Sequence, residues 1–361
     1  MHNCDQISDN AFAYLEGVHT LDMEGCGQIT DKGFFHLKGI HTLDMCYCDQ
    51  IRITDKAFEH LRGIHTLKMS GCKRITDDAF IHLAGIHTLR MRACHQITDN
   101  AFVHLKGIHT LKIDNCDQIT NKAFKHLRGI HTLDMSGCTK ITDNAFVHLI
   151  GIHTLDISHC DVTDNAFIHL DGIHTLTMNG CKQITDDAFS YLEGIHTLHM
   201  SHCSQLTDEA FAHLKGIHTL NISDCYQITG EGFVHLKGIQ ALAMNHCCEV
   251  TDNAFVHLKG IDTLYMADCY QITDKGFAHL KGIHTLDMNG CDQITDETFA
   301  CLGSVEVLVL DNCRQESLQT EKMLRYLENV RCLRWYHVVL PGEFQPKLQK
   351  FIESNAVEFW N

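Results

Sequence analysis

The chain has 361 residues, of which 45 are acidic and 29 basic, giving a formal charge of −16 with histidine neutral. That balance argues against broad nucleic-acid binding, which is built from many cationic contacts to phosphate. No apolar run reaches the roughly 18 residues of a membrane span, and the amino terminus runs straight into repeated text without a leader-like segment. Neither a nucleic-acid nor a membrane partner is expected.

The first residues, Met1-His2-Asn3-Cys4, align with Met135-Ser136-Gly137-Cys138, so the text opens in the middle of a repeating unit. A terminal unit ordinarily carries a polar outer face. The expectation is therefore that the reading frame is shortened, or that its true start lies upstream. From Gly17 onward a glycine opens each unit, through Gly282, and Ser304 stands in its place in the last clear copy. The step is 22 residues with two exceptions. Ile51 and Arg52 lengthen the step from Gly39 to Gly63, and Cys160-Asp161-Val162-Thr163 is one residue short. Both changes fall between the Cys and the Thr-Asp pair, and loops tolerate such changes at little entropic cost.

The unit from Gly129 to Ile150 shows the pattern. Thr132 to Ser136 alternates polar and apolar residues, which predicts a strand. Thr142 is a good N-cap, and Asp143 places a carboxylate where a helix start favours one. Ala145, Phe146 and Leu149 share one helical face, and Gly151 supplies the left-handed residue that ends the helix. Each unit thus reads as strand, tight loop, short helix and glycine stop. No unit can bury its apolar face alone, so stacking into one parallel sheet at about 4.8 Å per step is required.

After Cys313 the text changes. Ser317 to Glu328 has helical spacing in Leu318, Met323, Leu324 and Leu327, and Val330, Leu333 and Trp335 read as one more, degenerate strand. Both tryptophans, Trp335 and Trp360, and both prolines, Pro341 and Pro346, lie in this tail. The expected organisation is a repeat array of about 14 units over residues 1–313, and a degenerate repeat and cap over 314–361. So short a tail makes a poor core by itself.

The spacing Leu-x-x-Leu-x-Leu-x-x-Cys-x-x-Ile-Thr-Asp resembles that of leucine-rich repeats of the cysteine-containing subtype. The resemblance implies an α/β leucine-rich repeat solenoid: a right-handed β-α superhelix with a curved parallel sheet on the concave face and short helices on the convex face. It is also similar to F-box/LRR proteins, the substrate receptors of SCF ubiquitin ligases, although no F-box is present here and the units are shorter than is usual for the subtype. The near-identity of the units resembles the repeat arrays of giant viruses and amoebae.

Of 19 cysteines, 15 occupy one repeat position. A Cys there is a small apolar plug whose thiol can meet loop backbone. Free thiols fit a reducing compartment, so a cytoplasmic location is expected. Cys46 lies outside the column and is expected on the concave, accessible side. Two histidine columns account for most of the 29 His: one follows the opening apolar residue (His65, His87, His109, His131), the other precedes the helix Leu (His82, His104, His126, His148). Metal ligands must converge on one point; parallel columns do not, so no metal and no cofactor are expected. Stacked histidines repel once protonated, and acid sensitivity follows.

Recognition is expected on the residues that flank the buried Leu and Met of each strand. A nearly constant threonine column carries little information. Variation falls on Asp22, Glu24 and Asp44, then on Lys68, Arg90, Arg92 and Lys112, then on Asp134 and Asp156, and later on His199, His202 and Tyr265. The four basic residues on three adjacent strands read either as a docking patch for an acidic or phosphorylated protein or as charges that offset neighbouring Asp across the sheet. No residue set has the unique geometry catalysis needs. The reading is a non-enzymatic scaffold that binds a protein partner, with oligomeric state left open. Two rivals stand beside it: an inhibitor clamping a basic enzyme, much as ribonuclease inhibitors do, and a histidine-rich protein responsive to pH or metal.

Overall fold

The structure, a computed structural model, describes residues 4, 6–48, 53–311, 313, 321–327, 329–334, 345–355 and 358–360. The start at Met1, the inserted Ile51 and Arg52, Trp335, Pro341 and the Trp360 side chain lie outside this description. Two compact units are present, residues 1–177 and 178–361.

The first unit holds eight strands of three residues: β1 (Thr20–Asp22), β2 (Thr42–Asp44), β3 (Thr66–Lys68), β4 (Thr88–Arg90), β5 (Thr110–Lys112), β6 (Thr132–Asp134), β7 (Thr154–Asp156) and β8 (Thr175–Thr177). They pair in chain order, always parallel, with equivalent repeat positions in register. The second unit continues the rule with β9 (Thr197–His199), β10 (Thr219–Asn221), β11 (Ala241–Ala243), β12 (Thr263–Tyr265), β13 (Thr285–Asp287), β14 (Val307–Val309), β15 (Cys332–Arg334) and β16 (Glu358–Trp360). This is an α/β leucine-rich repeat solenoid, and the apolar repeat positions build its core. Ile130, Leu133, Met135, Cys138, Ile141, Ala145, Phe146 and Leu149 are all at most 2% exposed.

The connecting segments differ from expectation. Most are 3-10 turns of about six residues, such as Asp143–His148, and not α-helices. A six-residue segment closes few i→i+4 bonds, and the tighter i→i+3 pattern suits so short a piece. Leu149 N–H, for example, donates to Phe146 O at 2.8 Å. α-Helical turns occur at α1 (Asp9–Phe12) and α2 (Asp274–Phe277), and longer ones in the tail at α3 (Glu321–Tyr326) and α4 (Gln345–Asn355). The tail therefore contributes two strands, β15 and β16, where the sequence suggested one.

Three side-chain columns join successive units. The column thiols donate across to the preceding unit, as Cys138 Sγ does to Ile113 O at 3.1 Å. The Thr-Asp pair does more than start a turn: the Asp143 carboxylate accepts from Thr163 N–H at 2.8 Å and from Thr163 Oγ1 at 2.6 Å in the next unit. The same carboxylate-to-threonine staple recurs from Asp9–Thr30 to Asp274–Thr295. The third column is histidine. From His19 to His174 the rings stack face to face at 4.5 to 4.6 Å between centroids. From His41 to His174, Nδ1 lies 3.1 to 3.2 Å from the hydroxyl of the following threonine.

Two left-handed positions turn each unit. The opening glycine is one, with φ 82° at Gly151. The other is the residue before the column Cys: Gly137 at φ 69°, but also Ala93 at 54° and His159 at 59°.

Candidate protein-binding face

In the first unit, the third residue of each strand turns away from the buried Leu. Cross-strand register sets these residues in one row, Asp22, Asp44, Lys68, Arg90, Lys112, Asp134, Asp156 and Thr177. Three cations are thus flanked by an aspartate pair at each end. Glu24, Arg92 and Asp114 stand two residues further along their own chains.

Ion pairs consume most of this charge. Lys68 Nζ lies 2.9 Å from Asp44 Oδ2, and Lys112 Nζ lies 3.5 Å from Asp134 Oδ2. Arg92 Nε meets Asp114 Oδ2 at 3.0 Å. Burial alone would push the Asp44 carboxyl up, but the bonds from Lys68 and Cys46 outweigh it and hold it below the usual range. The bond to Asp44 in turn raises Lys68. Asp156 goes the other way: burial raises it despite its bonds from Ser158. Asp114 is also raised, because burial and the neighbouring Asp134 outweigh the Arg92 cation.

Arg90 is different. It is exposed and lies in register between Lys68 and Lys112, and among the described residues no carboxylate pairs with it. The four basic residues thus divide: Lys68, Arg92 and Lys112 offset neighbouring aspartates, and Arg90 remains a free guanidinium at the centre of the row. At the end of the row, Asp22, Glu24 and Asp44 bring one carboxylate oxygen each within 4.8 Å of one another, with Asp44 already held by Lys68. Cys46 is not accessible: it is 8% exposed, and burial pushes its thiol up to about 11. It follows the buried Met45 and is bonded by Asp44 and Ser70, which alternation along the strand does not reveal. Burial likewise pushes Cys138 up to about 11 and Cys94 up to about 12, so these column thiols stay protonated.

In the second unit, His199 is half-buried at the end of β9 and Tyr265 is 41% exposed at the end of β12. His202 sits at the left-handed position and pairs through Nε2 with Asp224 Oδ2 at 3.4 Å. Two units on, His246 pairs through Nδ1 with Asp268 Oδ2, also at 3.4 Å. Tyr226 and Tyr270 donate their hydroxyls to Asp224 and Asp268 at 3.1 and 3.0 Å, with both rings exposed. Sequence reasoning missed these tyrosines. Their signal was present: an aromatic residue directly after the column Cys, where other units carry Asp, Lys, His, Thr, Gly, Ser, Cys or Arg.

A family profile described as the BspA type leucine rich repeat region, in six copies, matches residues 2–109, 52–169, 117–240 and 204–320. The chain belongs to that leucine-rich repeat family. No curated protein matches the sequence. Among solved structures, a chain of the yeast Rad7 and Elc1 complex is similar over 75% of this chain and 81% of its own length, at 19% identity and a TM-score of 0.55. The TLR13–ssRNA13 complex matches over 89% of this chain at 17% identity and a TM-score of 0.56. The Toll–Spatzle complex from Drosophila matches over 94% at 14% identity and 0.51. This chain spans 56% and 46% of those last two chains. At such identities the likeness concerns the fold.

Proposed function

We propose that this chain is a non-enzymatic scaffold that binds a protein partner on the strand-bearing face of its first unit. The observation that carries the reading is Arg90: an exposed cation without a carboxylate partner among the described residues, at the centre of an in-register row whose other charges are largely satisfied. Such a site offers a bidentate donor to an acidic or phosphorylated side chain. The paired Lys68–Asp44 and Lys112–Asp134 flanks reject a partner of uniform charge, since a like charge meets one member of each pair. The raised column thiols favour a binding role over a nucleophilic one, and free cysteines throughout favour a reducing compartment such as the cytoplasm. The likeness to F-box/LRR receptors suggests a finer role, selection of substrates for a ubiquitin ligase. That rests on the repeat motif alone.

Affinity capture from the source cell, run in parallel with wild type, Arg90→Glu and a control Lys237→Glu on a turn of the second unit, tests the reading. A protein retained by wild type and the control but lost by Arg90→Glu supports it. Equal retention by all three overturns it.

A further inference from the structure

The stacked histidine row of the first unit lies at the turn between each 3-10 segment and the following strand, apart from the row that contains Arg90. From His41 to His153, Nδ1 is taken by the adjacent threonine hydroxyl. The Nε2 atoms of these rings have no hydrogen-bond partner among the described residues. The row is therefore a line of identical, outward nitrogens, one per repeat, fixed in orientation by the threonines.

The residues three positions earlier occupy the adjoining turns. They read Glu16, Lys38, Arg62, Ala84, Lys106, Arg128, Ile150, Asp171. The central six contain four cations and no acid, in a chain whose formal charge is −16. All four cations are exposed. On the other side of the turn, His126 is lowered by burial, then by Lys125 and Lys106, and His148 by burial and then by Arg128. Within the row, desolvation and the flanking rings lower His41, His87 and His153. Like charge on the flanking rings thus opposes protonation of His41, His87 and His153, and none of the six central turn positions carries a carboxylate.

We infer that this edge binds a linear polymer of phosphate groups, and that binding is coupled to proton uptake by the histidine row. A polyanion laid along the edge supplies the counter-charge the row lacks. Each protonated ring presents an Nε2–H to a phosphate oxygen, and Arg62, Lys106 and Arg128 in the adjoining turns add permanent charge, while Lys38 lies over the Phe35 ring at 4.2 Å. Phosphate suits the edge better than carboxylate: interior phosphates of a chain remain fully ionised across the range in which histidine titrates, whereas carboxylates begin to neutralise near its lower end. The gain is multivalent, so a single phosphate binds far more weakly than a chain.

The second unit supplies its own control. Gln240 occupies the position of a row histidine and keeps the same ladder, with its N–H donating to His218 O at 3.0 Å. Glutamine is therefore compatible with the fold at this position. The test measures binding of inorganic polyphosphate by the full chain at pH 7.5 and 5.5, with circular dichroism at both. The comparison is with a variant carrying His87→Gln, His109→Gln and His131→Gln. Affinity of the wild type is expected to rise about tenfold or more on acidification, with proton uptake in calorimetry, and the variant is expected to lose most of that rise while remaining folded. Equal affinity at the two pH values, an unchanged rise in the variant, or polyglutamate binding as tightly as polyphosphate would each overturn the inference.

Discussion

At the scale of single residues, the most consequential side chain is the aspartate of each Thr-Asp pair. In one unit it looks like a helix-start residue, and in the stack it is a bidentate acceptor for the next unit's threonine. Asp143→Ala removes both bonds to Thr163. The expected cost is about 2 kcal/mol, in line with hydrogen bonds to charged groups, read as a lower denaturant midpoint at unchanged slope. Asn121 is a natural variant of the staple. Its Oδ1 accepts from Thr142 N–H at 2.9 Å, but its Nδ2 donates to Thr142 Oγ1 at 2.7 Å, and Thr142 then makes no side-chain cap bond of its own. The left-handed residues offer a second test. Ala93 sits at φ 54°, a conformation that costs an L-residue roughly 1 kcal/mol or more. Ala93→Gly is expected to raise stability slightly, by about 0.5 to 1 kcal/mol, whereas Gly151→Ala at φ 82° is expected to lower it by about 1 kcal/mol with no steric clash to add. Opposite shifts in melting temperature for the two variants check the argument.

At the scale of elements, the repeat's apolar spacing was legible because burial selects it directly. The strand and the turn both appear where alternation and the Thr-x-x-x-Phe-x-x-Leu spacing place them. The turn type was not legible: a 3-10 and an α segment of six residues bury the same Ala and Phe, and the choice follows from segment length and the fixed separation of neighbouring units. Phe146, fully buried, is the largest side chain of its unit's core. Phe146→Ala is expected to cost about 3 to 5 kcal/mol. Because nearest-neighbour interfaces carry much of a solenoid's stability, that loss is expected to be felt first in the adjoining repeats, as raised hydrogen exchange there before global unfolding. The candidate face shows the complementary limit. The basic residues could be read from the sequence, but which of them were spent on Asp44, Asp114 and Asp134 required cross-strand register.

At the scale of the whole molecule, titration sets the acid limit. The folded chain holds His41, His87 and His153 below their ordinary value. For a base whose folded value is depressed, the unfolded chain binds protons first, so the associated stability is complete above about pH 6.5 and is lost as pH falls through the folded values. Carboxylates held below their usual range follow the same sign at lower pH, whereas the raised Asp114, Asp156 and Asp287 oppose it. Asp274 is raised by burial but held below its usual range overall by bonds from Thr298 and Thr295, and its contribution disappears as pH falls below about 4. The melting temperature is therefore expected to decline from pH 7 to 5 and again below 4. A flat profile between 7 and 5 would contradict the histidine part.

The sequence alone determined the architecture, because a 22-residue period with recurring apolar positions has one way to hide its greasy side: each copy against the next. It also determined the thiol column and the histidine columns, since equivalent positions in a stack must become neighbours. Only the tertiary structure decided what those neighbours do to one another. That an aspartate clasps the following threonine, that Cys46 is covered, that imidazoles stack on a threonine rail, and that Arg90 is left over while its companions are neutralised all depend on distances of a few ångströms between different copies. A linear text fixes which residues meet, and packing geometry settles which of them are satisfied.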